Sequence, residues 1–377
     1  MVRFVHTADW QLGMTRHFLD ADAQARFSAA RIEAIRSIGR LAIERECSFV
    51  IVCGDVFETN HVERQVIVRA LDAMAESPDI KFYLLPGNHD PLTASSVFTS
   101  QTFVSRCPDN VVVLDAEGFT EVETGVRLVS APWTSKAPLE DLVSRAVSRV
   151  PAGDDLYIAV GHGAVDVLSP DANDVAVVRL EALESALADT QLCYVALGDR
   201  HSTTSVGTSG RVWYSGAPEP TAFREKDPGN VLVVEIGNGV IDVTAHRVGE
   251  WEFRSLEFDL RSSQDIDRLD SDLSDLEGKS ELIVQLTLVG QLSLGDKIRL
   301  ESILKHFSDL FASLNTWERH SDLVVLPDDD DFTSLGLSRF AQDALGDLVE
   351  LAEGDEAEAQ VAQDALGLLY RLAGGSA

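Results

Sequence analysis

The feature that most constrains this chain is the alternation of short apolar runs with amphipathic helical stretches over its first 235 residues. Runs of five to seven residues rich in Val, Ile and Leu are typical of buried strands. We predict strands at 2–8, 49–54, 80–85, 110–114, 126–131, 156–161 and 192–197. Apolar residues at helical spacing predict a long helix between the first two strands and further helices at 61–76 and 179–188. This alternation predicts a layered α/β domain.

The pattern changes near residue 250, where further strand-like runs are combined with helices predicted near 264–277 and 296–312. These elements predict a small second α+β domain. Beyond it stand the acidic run at 328–331 and two amphipathic stretches, 337–352 and 357–373. The predicted domains are therefore 1–248 for the α/β domain, 249–327 for the small α+β domain, and 328–377 for an acidic linker with C-terminal helices.

The charge of the chain is unevenly distributed. A net charge of −31 at pH 7 argues against nucleic acid as a ligand, because binding to it depends on neutralising phosphates. However, residues 1–106 carry 11 Lys+Arg against 13 Asp+Glu, whereas residues 237–377 carry 11 against 29. The acidity therefore does not exclude a phosphate substrate in the N-terminal domain, and it does not suggest one either.

The cysteines and apolar segments predict the type of protein and its compartment. The four cysteines have no C-x-x-C spacing and three of them lie in apolar runs, which is typical of reduced core thiols. No apolar run approaches the roughly 18–20 residues that span a bilayer. The N-terminal sequence becomes polar too soon for a signal peptide. We therefore expect a cytoplasmic protein that does not enter the membrane.

Polar side chains recur where the predicted strands end. They are Asp9 after the first strand, Asp55 in CGDVFE, Asn88, His89 and Asp90 in LPGNHD, His162 in VGHGA, and Asp199 and His201 in LGDRHS. Because the carboxyl ends of parallel strands gather at one edge of a sheet, these groups are expected to converge. Taken singly, each has a simpler explanation, such as a helix cap or a structural histidine. The ordered set instead favours two divalent ions that share a carboxylate, with Mn²⁺, Fe²⁺ or Zn²⁺ as candidates.

These motifs, in this order, resemble those of the calcineurin-like metallophosphoesterases. HTADWQLG at the N-terminus, GDVFE, and YSGAPEPTAFREKDPGNVLVVEI at 214–236 are similar to the SbcD branch, the nuclease subunits of SbcCD-type DNA repair complexes. The resemblance covers residues 1–236 well and 251–326 more loosely. It implies a four-layer α/β/β/α sandwich, a small α+β capping domain and a C-terminal helical segment.

The resemblance also implies roles for individual residues. One ion would be held by Asp9, Gln11, Asp55 and His201. Asp55 would bridge to a second ion, which is held by Asn88, His162 and Asp199 as well. His89 corresponds to the catalytic histidine that assists the transition state or protonates the leaving oxygen. Asp90 is predicted to orient His89 or a ligand.

Two positions depart from the family pattern. The family has histidine at the positions occupied here by Gln11 and Asp199, so each predicted ion loses one imidazole. Both replacements offer oxygen atoms, and oxygen ligands favour hard ions such as Mn²⁺ or Mg²⁺ over Zn²⁺. We expect a retained site for two ions, most consistent with Mn²⁺, in which the position of Gln11 is weakened. A fold that has lost turnover is the alternative.

Three functions follow from the resemblance. The first is a DNA exonuclease or endonuclease subunit that works with an SMC-like coiled-coil ATPase, onto which the C-terminal helices would dock. The second is a stand-alone nucleotide phosphodiesterase, and the third is a catalytically weakened scaffold subunit of the same complex. The capping-like domain and helical tail favour the first function. A homodimer through helices of the nuclease domain is also implied by the resemblance.

Overall fold

The computed structural model describes residues 1–169, 171, 174–237, 239–326, 339–352, 361–362 and 365. The chain divides into two compact units, Met1–Trp251 and Glu252–Ala377. The predicted linker at 328–331 and nearly all of the predicted helix at 357–373 lie outside the described residues. The three-part domain division therefore stays a prediction.

The first unit contains twelve described strands and five α-helices. Its strands are β1 (Val2–Thr7), β2 (Phe49–Cys53), β3 (Lys81–Leu85), β4 (Val111–Val113), β5 (Gly118–Glu123), β6 (Val126–Ser130), β7 (Leu156–His162), β8 (Leu192–Gly198), β9 (Thr204–Val206), β10 (Val212–Tyr214), β11 (Asn230–Gly237) and β12 (Val240–Arg247). Its helices are α1 (Ala21–Glu44), α2 (Arg64–Ala75), α3 (Gln101–Arg106), α4 (Leu142–Val147) and α5 (Leu180–Asp189), with a 3₁₀ turn at Val97–Thr99.

Two six-stranded sheets form the centre of this unit. The strand order is β12-β11-β1-β2-β3-β4 in one sheet and β5-β6-β7-β8-β10-β9 in the other. The strands from β1 to β4 pair in parallel with one another, and so do β6, β7 and β8. The carboxyl ends of β1, β2, β3, β7 and β8 therefore carry the loops in which the predicted site residues stand.

The buried side chains of this unit form three layers of core. One lies between the two sheets and includes Phe4, Phe49 and Tyr194, with the Phe4 and Phe49 rings stacked at 5.2 Å. A second joins α1 and α2 to the outer face of the first sheet, and a third joins α4 and α5 to the outer face of the second sheet. The order is helix, sheet, sheet, helix, so the predicted four-layer α/β/β/α sandwich is confirmed.

The second unit is a smaller α+β structure around a parallel sheet. Its elements are β13 (Glu252–Leu260), α6 (Ser263–Ser274), a 3₁₀ turn at Lys279–Glu281, β14 (Leu282–Ser293), α7 (Leu294–Ser308), β15 (Ser313–Thr316), β16 (Asp322–Leu326) and α8 (Arg339–Ala352). The long strand β14 pairs with β13, β15 and β16. Leu269, Leu286 and Phe307 lie in its core, which shares no residue with the cores of the first unit.

All four cysteines are free thiols, and Cys47, Cys53 and Cys193 are buried. Burial raises the pKa of the Cys47 thiol to about 11, so this thiol stays protonated at neutral pH. Within the described ranges, every helix is too short or too polar to cross a bilayer.

Candidate metal centre

The strand ends bring the predicted residues together at one edge of the first unit. Asp9 follows β1, Asp55 follows β2, and His162 is the last residue of β7. All three are buried, and one ligand atom from each lies within 4.8 Å of the other two. Two buried carboxylates at this distance repel each other unless positive charge lies between them, so this arrangement suits a cation.

The loops of the centre adopt backbone conformations that few residues tolerate. Asp9, Gln11, Asp55 and Asp199 have φ angles of 54°, 45°, 53° and 97°, in the left-handed region. The loops after β1 and β2 are joined by backbone hydrogen bonds, with the N–H of Asp9 donating to the Gly54 carbonyl at 3.1 Å and that of Gln11 to the Asp55 carbonyl at 2.9 Å. The loop conformations are therefore held by the backbone itself.

Two glycines allow these loops to approach one another closely. A Cβ at Gly87 would lie 2.2 Å from Asp55 Oδ1, and one at Gly198 would lie 1.9 Å from the Cys53 carbonyl oxygen. Both distances are far shorter than a van der Waals contact, so a side chain at either position would push the predicted ligands apart. Only glycine, which has no Cβ, fits at these two positions without displacing the loops of the centre.

His162 is held with one ring nitrogen facing the carboxylates. Its Nδ1 donates to the Cys53 carbonyl at 2.8 Å, which leaves Nε2 facing Asp55 Oδ1 at 3.5 Å and Asp199 Oδ1 at 3.9 Å. Burial acts to lower the pKa of His162, but the charges of Asp55 and the other carboxylates raise it well above its usual value. Such a hydrogen bond from one ring nitrogen is typical of a metal-binding imidazole.

The side-chain oxygen of Asn88 points into the same cluster. It lies 2.8 Å from His162 Nε2 and 3.1 Å from both carboxylate oxygens of Asp55. In this orientation the oxygen lies against both carboxylate oxygens of Asp55, an arrangement that a bound cation satisfies; turned over, the amide NH₂ would donate to these atoms. The donor set around Asp55 therefore fits a divalent cation.

His201 and Gln11 form the other side of the centre. The Nδ1 of His201 donates to Thr221 Oγ1 at 2.7 Å and to Glu225 Oε1 at 3.0 Å, which leaves Nε2 with its lone pair. Gln11 Nε2 lies 3.2 Å from that atom, and among the described residues the buried Gln11 Oε1 has no hydrogen-bond partner. A half-turn of the Gln11 amide would move this unpartnered oxygen to the position now held by its NH₂, 3.2 Å from His201 Nε2.

Asp199 contributes both its backbone and its side chain. Its N–H lies 3.1 Å from each carboxylate oxygen of Asp9 and donates to them. Its own carboxylate is 33% exposed, and the nearest ring nitrogen is His162 Nε2 at 3.9 Å. The residue therefore anchors Asp9 through the main chain and leaves its carboxylate at the open side of the centre.

His89 lies beside the cluster with its ring partly exposed. Its Nδ1 donates to the Glu58 carbonyl at 3.0 Å, and its Nε2 lies 4.0 Å from Asp55 Oδ2. Its backbone N–H donates to Asp55 Oδ1 at 2.9 Å. The ring is 39% exposed, so Nε2 is accessible to a substrate bound at the centre.

Asp90 acts on the loops, and the His89 ring is oriented by Glu58. The buried Asp90 carboxylate accepts hydrogen bonds from the backbone N–H of Gly87 at 2.7 Å and of Phe57 at 2.9 Å. Burial, followed by the charge of Asp55, raises the pKa of Asp90 to about 7. These contacts hold the backbone beside Asn88 and Asp55, and the role of Asp90 in orienting His89 or a ligand stays a prediction.

The supporting residues of the two histidines were missed by the sequence analysis. Thr221 and Glu225 stand in the PTAFRE segment, 20 and 24 residues beyond His201. The Cys53 and Glu58 carbonyls, which hold His162 and His89, are backbone groups that any residue supplies. Glu225 carried no distinct signal either, because it stands in the charged run REKD at 224–227.

Burial and neighbouring charges shift the pKa values of the two buried carboxylates of the centre. Burial raises the pKa of Asp9 to about 7. For Asp55 burial acts in the same direction, but the neighbouring His162 and His89 hold its pKa below the usual range. Buried carboxylates, imidazole nitrogens and amide oxygens together form a nitrogen and oxygen donor set that fits divalent metal ions.

Comparison with known proteins places this geometry in a family. Residues 2–234 match the calcineurin-like phosphoesterase family. A nuclease SbcCD subunit of Rhodobacter capsulatus is 25% identical over 265 residues, which cover 59% of this chain and 64% of that protein. The DNA double-strand break repair protein Mre11 of Haloferax volcanii is 22% identical over 277 residues, which cover 71% of this chain and 57% of that protein. The chain thus spans less than two thirds of the length of each relative.

Solved structures resemble the chain more distantly. A dimetal phosphatase from Danio rerio, 12% identical, covers 66% of this chain and 96% of its own length with a TM-score of 0.41. The family match is the stronger finding, because it covers more than half of the chain and all of the predicted site residues. This chain belongs to the calcineurin-like phosphoesterase family.

Proposed function

We propose that this chain is a metal-dependent phosphodiesterase that cleaves DNA, as the nuclease subunit of a complex with an SMC-like coiled-coil ATPase. The observation that carries the proposal is the convergence of Asp9, Asp55 and His162 at the ends of three strands, with His89 beside them. The names of the two curated relatives, a nuclease subunit and a DNA double-strand break repair protein, support DNA as the substrate.

Two ions would be held by the predicted ligands. Asp9, Gln11 and His201 would hold one ion, and Asn88, His162 and Asp199 the other, with Asp55 shared between them. Divalent ions bound in this way would supply Lewis acidity and an activated water for hydrolysis of a phosphodiester. The oxygen donors Gln11 and Asp199 support Mn²⁺ over Zn²⁺ in both positions.

His89 would act on the substrate through its Nε2 atom. Because Nδ1 donates to the Glu58 carbonyl, Nε2 of the neutral ring has a free lone pair and that of the protonated ring carries a proton. A proton at this atom can be donated to a leaving oxygen or to a developing negative charge on the phosphate.

A nuclease assay with Mn²⁺ tests this function. Purified wild type should cleave linear duplex DNA, and His89→Ala should lose about 10²- to 10⁴-fold in kcat while it still binds Mn²⁺. The matched control is His246→Ala on the edge strand β12, which should retain wild-type activity. Cleavage of model phosphodiesters without cleavage of DNA would instead support the stand-alone phosphodiesterase, and equal rates for wild type and His89→Ala would contradict the proposed role of His89.

The ATPase partner is proposed from the C-terminal segment. In the described helix α8, Leu345 is buried and Leu351 is 45% exposed, so apolar residues lie on more than one side of the helix. Apolar anchors at helical spacing are what a helix needs to dock into a groove. Deletion of residues 334–377 should abolish co-purification of the ATPase and leave Mn²⁺ binding intact; an unchanged pull-down would contradict the docking. The homodimer remains a separate prediction.

A further inference from the structure

A cavity of about 380 Å³ opens beside the metal centre. It is lined by Ala164, Leu168, Asp199, Arg200, His201, Ser202, Tyr214, Arg224 and Glu225. It therefore adjoins the two predicted ligands that follow the β8 strand. A substrate whose scissile phosphate lies at the centre would extend into this cavity in at least one direction.

Two arginines supply the positive charge of the cavity. Arg200 donates from Nε to Thr204 Oγ1 at 2.9 Å, which fixes the direction of the guanidinium and leaves its two terminal nitrogens available. In the part of the chain that the structure describes, Arg224 is exposed and forms no ion pair or hydrogen bond. Two planar guanidinium groups at one cavity are the donors best suited to a phosphate.

The acidic residues of the same cavity are already engaged. Glu225 accepts hydrogen bonds from His201 Nδ1 at 3.0 Å and from the N–H of Thr221 at 2.8 Å, and also from the Thr221 hydroxyl. Asp199 is a predicted ligand at the metal centre, so a bound cation would balance its charge. The positive charges of Arg200 and Arg224 are therefore left without a counter-charge in the cavity, and they favour binding of an anion.

The remaining wall of the cavity is apolar and fixed. The Tyr214 hydroxyl donates to the Gly163 carbonyl at 2.8 Å and accepts from the N–H of Val165 at 2.9 Å, so the tyrosine presents only its ring. Ala164 and Leu168 complete this wall. A cavity with one apolar wall and a few convergent charged groups is typical of a site that binds an organic anion.

We propose that this cavity binds the phosphate adjacent to the scissile one, through Arg200 and Arg224. The substrate class is then a nucleotide chain with at least two phosphates, and a small phosphodiester with a single phosphate is a poor substrate. This inference rests on the proposed phosphodiesterase activity, which it makes more specific. Arg200 and Arg224 are specificity-determining residues in it, because they contact the substrate away from the reacting atoms.

Thymidine dinucleotides provide the test. The substrates are TpT without a further phosphate, TpT with a 5′-phosphate and TpT with a 3′-phosphate, each in Mn²⁺. For wild type, kcat/KM should be higher for one of the phosphorylated dinucleotides than for plain TpT. Arg200→Gln and Arg224→Gln should each lower that ratio about tenfold, since a charge-assisted hydrogen bond to phosphate is lost. Lys226→Gln, which removes the same charge from the same loop outside the cavity lining, should leave the ratio unchanged.

A binding measurement separates failure of this inference from failure of the proposed function. Binding of a fluorescein-labelled oligothymidylate is followed by polarisation as the salt concentration rises. Each Gln variant should flatten the plot of log K against log salt by about 0.7, the value for one lost phosphate contact on a single strand. If wild type cleaves neither a dinucleotide nor linear duplex DNA, the proposed function is wrong, and a flattened slope would still support the anion site. If ratios and slopes equal those of wild type, the anion site is wrong.

Discussion

The Gln11 NH₂ donates a hydrogen bond to His201 Nε2, the nitrogen whose lone pair a metal ion would need. The Gln11 NH₂ lies 3.2 Å from His201 Nε2, while its oxygen has no partner among the described residues. An ion can bind there once the amide turns over and the hydrogen bond to His201 is given up. On the Asp55 side, His162 Nε2 lies 3.5 Å from Asp55 Oδ1 and 2.8 Å from the Asn88 side-chain oxygen, a donor that the same ion could bind without turning over. The two positions are therefore expected to differ in affinity.

Replacing Gln11 and Asp199 by histidine, the residue that the family has at these positions, tests this difference. Titration of wild type with Mn²⁺ in a calorimeter should show one tight and one weaker site. In the double variant Gln11→His with Asp199→His, the weaker site should tighten by about tenfold or more, as expected for ligand changes at a metal site. Two equal sites in wild type, or fewer than one ion bound per chain, would contradict the proposed arrangement.

His6 predicts a pH dependence of stability. It is buried between the sheets, where it donates from Nε2 to the Leu197 carbonyl at 3.1 Å and accepts from the Tyr194 hydroxyl at 3.1 Å. Burial lowers the pKa of His6 to about 3, from 6.5 in the unfolded chain. The unfolded chain therefore binds one more proton between these values, so the contribution of His6 is complete above pH 6.5 and is lost as the pH falls towards 3, at about 1.4 kcal/mol per pH unit.

Urea unfolding at a series of pH values measures this contribution. The free energy of unfolding of wild type should fall more steeply below pH 6.5 than that of His6→Gln, which has no titrating group at this position. The slopes of the free energy of unfolding against pH should differ by up to about 1.4 kcal/mol per pH unit, the effect of one bound proton. Parallel curves for the two proteins between pH 4 and 6.5 would show that His6 remains protonated in the folded state.

The convergence of the candidate ligands was predictable, but the groups that orient them were not. Asp9, Asp55 and His162 stand at strand ends in recognisable motifs, so their convergence followed from the topology of parallel strands. The orienting contacts come from Thr221 and Glu225, in a loop whose path depends on tertiary packing. The hydrogen bond from Gln11 to His201 could not be predicted either, because spacing in sequence does not determine the orientation of an amide.

The strand β8 ends at Gly198, and the absence of a Cβ there allows β8 to lie close to β2 at the centre. A Cβ at Gly198 would lie 1.9 Å from the Cys53 carbonyl oxygen and 2.8 Å from the Ala8 Cβ. Gly198→Ala should therefore lower the free energy of unfolding by about 1–3 kcal/mol or more, and should weaken Mn²⁺ binding because His162 donates to that carbonyl.

Gly118→Ala is the matched control for this substitution. Gly118 begins the strand β5, and a Cβ there would have no neighbour within 4 Å. Its free energy of unfolding in urea should stay within about 0.5 kcal/mol of wild type. If Gly198→Ala behaves like Gly118→Ala, the close approach of β8 and β2 is not needed for the fold.

Buried elements were predicted better than exposed ones. The strands β1, β2, β3, β7 and β8 are nearly all buried, so their continuous apolar runs identified them. β5 is half-buried, β12 is largely exposed and β9 has three residues, so each lacks an apolar run long enough to be recognised. The helix α1 was expected from its apolar spacing, and its start at Asp20, which caps Ala23, follows ordinary capping chemistry.

The two units of the molecule have separate cores, and the whole candidate centre belongs to the first. Every predicted ligand, and the residues Thr221 and Glu225 that hold His201, precede Trp251. A fragment of residues 1–251 should therefore fold and bind Mn²⁺ with a dissociation constant within about threefold of the full chain. Calorimetric titration of the fragment measures this, and loss of binding in a folded fragment would mean that the second unit contributes to the centre.

The left-handed residues of the centre have a consequence for recognising related proteins. Asp9, Gln11, Asp55 and Asp199 are four of the six non-glycine residues with positive φ in the described chain. Such conformations persist only where the surrounding structure imposes them. Acids in this backbone state, at the ends of parallel strands, form a geometric pattern that can be recognised without the motif residues. A search by backbone angle and burial would find such centres in chains whose motifs have diverged beyond recognition.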